Sequence, residues 1–143
     1  TQLSLVVHLF AGDSIRTFNG TSGWMAGPDT PMPLLALRAG NLQRAKLEAM
    51  LWYPTAIRQA FPQWKVGLAT IGDNDVHVVQ GLIGDEPQAN FFFREDGLLV
   101  RVTTWTRTPV GIVPTQLDYD DYRDVSGVKV PFSRTASQTY MQM

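Results

Sequence analysis

Four carboxylates crowd one short run of the chain: Asp118, Asp120, Asp121 and Asp124. Carboxylates so spaced could hold a divalent cation or share acid–base work. A calcium loop, however, needs glycine at its sixth position and glutamate at its twelfth, and Arg123 and Lys129 stand there. On a strand, Asp118, Asp120 and Asp124 share one face while Asp121 turns to the other beside Arg123, which reads as a solvated strand face. His8 and His77 each sit in a strand-like run among apolar neighbours, and neither has a helical i+4 partner with which to build a metal site. Ser14, Ser22 and Ser126 fall in turns without the Gly-x-Ser-x-Gly elbow of a nucleophile. Gly20-Thr21-Ser22-Gly23 lacks the lysine and following helix of a phosphate loop, so a hairpin is expected there. With no cysteine in the chain there is no thiolate nucleophile, no disulfide and no covalent attachment for a c-type haem. The reading is of a chain that is not an enzyme and has no catalytic residue, metal site or cofactor.

The large aromatics suggest a different use. Trp52, Tyr53 and Trp64 bracket the helical region and Trp24 closes an early hairpin. Such side chains either seal helices against a sheet or anchor a protein partner, where Trp and Tyr are enriched. These four are the candidate partner-binding residues.

The elements that would position them are mostly strands. Leu98, Val100, Val102 and Thr104 alternate with Leu99, Arg101, Thr103 and Trp105, the period of a half-buried strand. Phe91-Phe92-Phe93 precedes it across Asp96-Gly97, a tight-hairpin signal. A loop with Pro109, Gly111 and Pro114 leads to the run around Leu117 and Tyr119, and Ser126-Gly127 turns that into Val128-Lys129-Val130. Earlier, Leu3 to Phe10, Ser14 to Asn19 and Trp24 to Ala26 read as strands, as do Trp64 to Thr70 and Val76 to Leu82. The prolines between Gly27 and Pro33 forbid regular structure. Asn41 to Phe61 is helical, with Asn41 as cap and Pro54 splitting it into two short helices. The expected fold is mainly β: one domain over residues 1–143, a curved antiparallel sheet or half-open β-barrel with a two-helix insertion at about residues 41–61.

Composition narrows the class further. The 143 residues suffice for a single core. Charged residues make up 17%, against about 25% typically, so an unusual share of surface is uncharged and suited to cover by a partner. Net charge is -1 with no basic stripe, which argues against a nucleic-acid binder. No apolar run reaches the roughly 20 residues of a membrane span. The chain begins at Thr1 and reads as strand by Leu3, so a processed chain with its signal or anchor upstream is expected.

Three runs carry a family likeness. Asp13-Ser14-Ile15-Arg16-Thr17-Phe18-Asn19-Gly20-Thr21-Ser22-Gly23-Trp24, Thr108-Pro109-Val110-Gly111 and Pro114-Thr115-Gln116-Leu117-Asp118-Tyr119-Asp120-Asp121-Tyr122-Arg123-Asp124-Val125-Ser126-Gly127-Val128-Lys129-Val130-Pro131-Phe132 resemble a domain of bacterial proteins in the photosynthetic reaction-centre cytochrome c subunit family. In those proteins the domain follows a haem-binding segment and is similar to the half-barrels that sort outer-membrane lipoproteins. The likeness covers nearly the whole chain, with further strands expected before Thr1 and after Met143. It departs in lacking any Cys-x-x-Cys-His. The resemblance implies a periplasmic accessory subunit, peripheral to the membrane, that docks to protein subunits of a photosynthetic or other cytochrome-bearing complex. The alternative is a periplasmic carrier that binds a lipid or lipoprotein in the concave face, lined by Val66, Leu68, Val76, Val78, Val100 and Val102.

Overall fold

The computed structural model describes residues 2–28, 30–51, 54–108, 111–138 and 141–142; of residues 54–56, 108, 138, 141 and 142 it describes the backbone alone. Contacts divide the chain into two compact units, Thr1–Ala60 and Phe61–Met143. Each holds one antiparallel sheet, and neither sheet closes into a barrel among the described residues. The fold is therefore mainly β, with open sheets and a short helical insertion, as the strand periodicities imply.

In the first unit, β1 (Leu3–Leu9), β2 (Gly12–Phe18), β3 (Gly23–Ala26) and β4 (Leu35–Ala36) lie in chain order across the sheet. The Gly20-Thr21-Ser22-Gly23 segment is a hairpin. Asn19 accepts hydrogen bonds on Oδ1 from the backbone of Thr21 and Ser22, as an Asx turn does. At Gly23 a Cβ would stand 2.8 Å from Leu37 Cδ1 and 2.9 Å from the Thr17 carbonyl, so only glycine admits the chain returning at Leu37. That return creates β4, which the proline-rich run had concealed. Helix α1 (Ala39–Leu51) begins two residues before the expected Asn41 cap, at an Ala39 with φ 46. A 3-10 turn, Pro54–Gln59, follows it, so Pro54 does open a second helical piece. Ala45 and Ala49, one helical turn apart, are buried with Phe18 and Leu37. Beside them Arg16 of β2 donates to Glu48 at 3.0 Å, tying the helix to the strand with a nearly buried carboxylate.

The second unit is a single meander: β5 (Gln63–Ile71), β6 (Asn74–Ile83), β7 (Glu86–Phe93), β8 (Leu99–Thr108), β9 (Gly111–Val125), β10 (Val128–Gln138) and β11 (Met141–Gln142), with β5 and β11 at its edges. Every join among the described pairs is antiparallel. Two-residue turns at Gly72-Asp73, Gly84-Asp85 and Ser126-Gly127 connect several of them. Ser126 and Gly127 both have positive φ, as a primed hairpin turn requires. Pro114, expected in a loop, is a paired strand residue opposite Trp105, and Pro87 likewise pairs opposite Leu82.

Register sorts the side chains by face, since cross-strand partners share one. Val66, Val79, Phe91, Val102, Leu117 and Ala136 form one row across six strands. Val102, Phe91 and Leu117 are buried there, and Phe61 and Trp64 pack against Phe91 on the same side. The adjoining row on the opposite face is Lys65, Gln80, Asn90, Thr103, Gln116 and Ser137, polar at every position. Along these two rows one face is apolar, the dry face, and the other polar; the sorting fades toward β5, where Val66 is 76% exposed on the first and Val76 is buried on the second. The alternation expected from Leu98 to Trp105 is broken once, because Phe93 faces Leu99 while Phe92 faces Arg101, leaving Val100 as the extra residue of a β-bulge. Leu99 thus takes the place beside Val102 that the sequence pattern assigns to Val100.

Candidate functional site

The first unit exposes apolar side chains along a two-stranded ribbon that outruns the rest of its sheet. β1 and β2 pair from Leu3–Phe18 to Leu9–Gly12, but β3 pairs only with Ile15–Phe18. The arm from Val7 to Ser14 therefore runs on past β3 with no further strand pairing among the described residues, though Gly27 lies close to Ser14 and Pro28 near Gly12. At its tip Phe10 is fully exposed, and Val6, Val7 and Leu9 are 45%, 42% and 39% exposed. Val6 and Val7 point to opposite faces, so both sides of the ribbon are apolar. His8 Nδ1 and Asp13 Oδ1 meet at 2.7 Å across the arm. The alternation from Leu3 to Phe10 predicts a strand and no arm. The arm's signal was the apolar character of both alternating sets from Leu3 to Phe10.

The expected partner-binding aromatics do not converge on it as a described group. Trp52 and Tyr53 lie outside the described residues. Trp24 is half-buried in β3 opposite Thr17 and Ala36. Trp64, in the second unit, meets Phe61 edge-on at 5.3 Å and Phe91 at 5.8 Å, a packing arrangement.

The acidic run resolves into separate pairs. Asp118 accepts from Arg101 at 2.5 Å and from Gln116 at 2.6 Å. Asp121 is held by Arg123 through two hydrogen bonds, 3.1 and 2.5 Å, and that guanidinium lies 4.6 Å over the Phe132 ring. The hydrogen bonds from Arg123 hold the Asp121 carboxyl below its ordinary pKa. Asp124 accepts from the Gly127 backbone at 2.9 Å and meets Lys129 at 3.7 Å. Tyr122 donates to the Leu99 carbonyl, and burial pushes its phenol above the ordinary value. Among the described residues no three His, Cys, Asp or Glu side chains group as metal ligands do.

The second unit carries a cleft of about 390 Å³ on its polar face. Gln80 and Asn90 form its floor, with Gln80 Nε2 donating to Asn90 Oδ1 at 2.9 Å. Trp105 and Ile112 stand on the same face, and Arg107 of the cleft donates to Glu86 at 2.5 Å. No residue of this cleft was singled out from sequence, because register alone assembles it. By contrast, the register separates the lining expected for a lipid carrier. Val66, Leu68 and Val102 lie on the dry face, and Val76 and Val78 on the other. Val66 and Leu68 are 76% and 77% exposed on the edge strand β5.

Residues 35–142 match the model of a family of unknown function, DUF6544, and the chain belongs to that family. No curated protein and no solved structure matches it.

Proposed function

We propose that this DUF6544 domain works by docking to protein subunits of a larger assembly and performs no turnover of its own. The observation that carries the reading is the β1–β2 arm, whose tip leaves Phe10 fully exposed beside Val6, Val7 and Leu9. Apolar surface is worth about 25 cal/mol for each Å² removed from water, and an isolated two-stranded ribbon is marginal by itself. A groove that received the arm would gain from both terms. The occupant fits a protein groove better than a bilayer, since the His8–Asp13 pair sits in the arm and an ionised carboxylate resists transfer into hydrocarbon. A stable contact buries about 800 Å² on each partner, so the arm would act as anchor for a wider surface. The likeness to the reaction-centre cytochrome c subunit family makes a cytochrome-bearing complex at the periplasmic face of a membrane the first partner to try.

The test is a triple substitution, Val7→Ser, Leu9→Ser and Phe10→Ser, followed on native gels of gently solubilised membranes. Wild type should migrate with a defined, stoichiometric partner far above its own 15.9 kDa. The variant, with an unchanged circular-dichroism melt, should run as the free chain. A folded variant that assembles like wild type would overturn the reading. So would a wild-type chain that leaves its native membrane monomeric and loaded with lipid, which is the behaviour of a carrier.

A further inference from the structure

We infer that the cleft on the polar face of the seven-stranded sheet is a binding site for a neutral saccharide. Its volume, about 390 Å³, falls in the range of small-ligand pockets, roughly 300–1,000 Å³. The chemistry of the lining selects the ligand class. Glu86 and Arg107, a carboxylate and a guanidinium, are paired at 2.5 Å, so the cleft presents no net charge. Among the described lining residues, an anionic phosphate would find the one cation, Arg107, already engaged, and a cation would find the one carboxylate, Glu86, engaged. An acyl chain would lie over the Gln80 and Asn90 amides and strip them of water, which costs free energy unless they are hydrogen-bonded.

A sugar ring meets both requirements. Hydroxyl groups donate and accept, as carboxamides do. Gln80 uses Nε2 on Asn90, which leaves Gln80 Oε1 as an acceptor and Asn90 Nδ2 as a donor without a partner among the described residues. Gln88, placed by the β-bulge beside Gly81–Leu82, spends Nε2 on the Glu86 carbonyl at 3.2 Å and keeps its own Oε1 open. The apolar C–H face of a pyranose has Trp105 as its platform, half-buried and on the same face as the amides. The polar row continues from Asn90 through Thr103 to Gln116. A longer saccharide would follow that row. The site lies wholly in the second unit and stands independently of the docking arm.

The experiment is isothermal titration of the full chain with glucose, N-acetylglucosamine, maltose, cellobiose and chitobiose. Inorganic phosphate and phosphatidylglycerol vesicles serve as the other arms. At least one neutral saccharide should bind in the millimolar range. Gln88→Ala and Asn90→Ala each remove one hydrogen-bonding group, so each should weaken binding by roughly tenfold. Trp105→Phe, which keeps an apolar ring in the strand, should weaken it less than Trp105→Ala, and all variants are checked by melting. Phosphate or vesicles binding in place of the sugars, with sensitivity to Arg107→Gln, would overturn the assignment to a neutral ligand. Silence from all five sugars, or binding indifferent to Gln88, Asn90 and Trp105 in folded variants, would overturn the site.

Discussion

Gly81→Ala is the sharpest perturbation that the second unit offers. Gly81 sits mid-strand in β6 on the dry face, and the Phe61 ring lies directly over it. A Cβ at that position would stand 2.2 Å from Phe61 Cδ2, 2.6 Å from Cγ and 2.7 Å from Cε2. All three atoms belong to one rigid ring close to its attachment, so a small torsion cannot clear the clash. The ring must leave its seat. It then loses its edge-on contact with Trp64 at 5.3 Å and its contact with Phe91 at 6.4 Å. Two aromatic pairs at about 0.5–1.5 kcal/mol each give a loss of about 1–3 kcal/mol. Uncovering part of a half-buried ring adds about 1 kcal/mol. Replacing a strand glycine returns roughly 0.5–1 kcal/mol of backbone entropy. The net expectation is a destabilisation of about 1–3.5 kcal/mol, a large part of a marginal total.

A urea titration followed by tryptophan fluorescence and circular dichroism reads it, and at a slope of about 1–3 kcal/mol per M the midpoint should fall by about 1 M. The decisive measurement is the double-mutant cycle. Phe61→Ala alone removes the ring and leaves a hollow over Gly81. In that background Gly81→Ala should be neutral or slightly stabilising, because its methyl enters the space the ring vacated. The coupling should therefore be about 1–3.5 kcal/mol, beyond the roughly 0.5 kcal/mol within which independent sites add. A Gly81→Ala protein as stable as wild type, or costs that simply sum, would refute the packing argument.

Three further outcomes follow from the same geometry. Val102 is fully buried on the dry face and Thr103 half-buried on the polar one, so Val102→Asp should unfold the domain while Thr103→Asp should move a urea midpoint little. Arg16→Met removes the guanidinium that donates to the nearly buried Glu48 at 3.0 Å and should cost about 1–3 kcal/mol in the same assay, with Arg16→Met/Glu48→Met recovering part of it. Asp96, through hydrogen bonds from Arg94 and the Leu98 backbone, and Asp121, through those from Arg123, both titrate below the ordinary 3.8. Their folded-state pKa values are depressed, so their contribution is present above that ordinary value and is lost as pH falls through the folded one. Midpoints measured from about pH 5 to about pH 2 should drop less steeply in Asp96→Asn/Asp121→Asn, and salt should narrow the gap because both groups are exposed. Equal slopes in the two proteins would show that neither pair senses folding.

Local chemistry was legible in the sequence where it acts within a few residues. Asp96-Gly97 and Ser126-Gly127 announce their hairpins because only certain residues take positive φ, and the 98–105 alternation marks a sheet with two unlike faces. What depends on distant chain segments was not legible. β4 exists because Leu37 returns against Gly23, and nothing inside the proline-rich run encodes that approach. The bulge that promotes Leu99 over Val100 is set by how the meander pairs, and period-2 counting cannot see it. The cleft joins Gln80, Asn90 and Trp105 from three strands, each of them an unremarkable polar or aromatic position in its own strand. The available clue was an amide in the middle of each of two apolar strands, Gln80 and Asn90.

The low charge of the chain takes on a more specific meaning once the faces are known. A strand face that serves only solubility is best built from lysine and glutamate, which also discourage edge-to-edge association. Here the polar row contains one lysine, Lys65, on the edge strand, followed by Gln80, Asn90, Thr103, Gln116 and Ser137, all uncharged and all half-buried. Amides and hydroxyls gain little over charges in bulk water, but they can donate and accept together without an ionic partner. That property is of use to a surface that meets another neutral polar molecule. The arm of the first unit is the complementary case, a largely apolar surface at Val6, Val7, Leu9 and Phe10 with the His8–Asp13 pair across it. A largely apolar arm and a neutral polar face thus sit in two separate units, so on the two proposals above Phe10→Ser should impair assembly and spare saccharide binding, while Asn90→Ala should do the reverse.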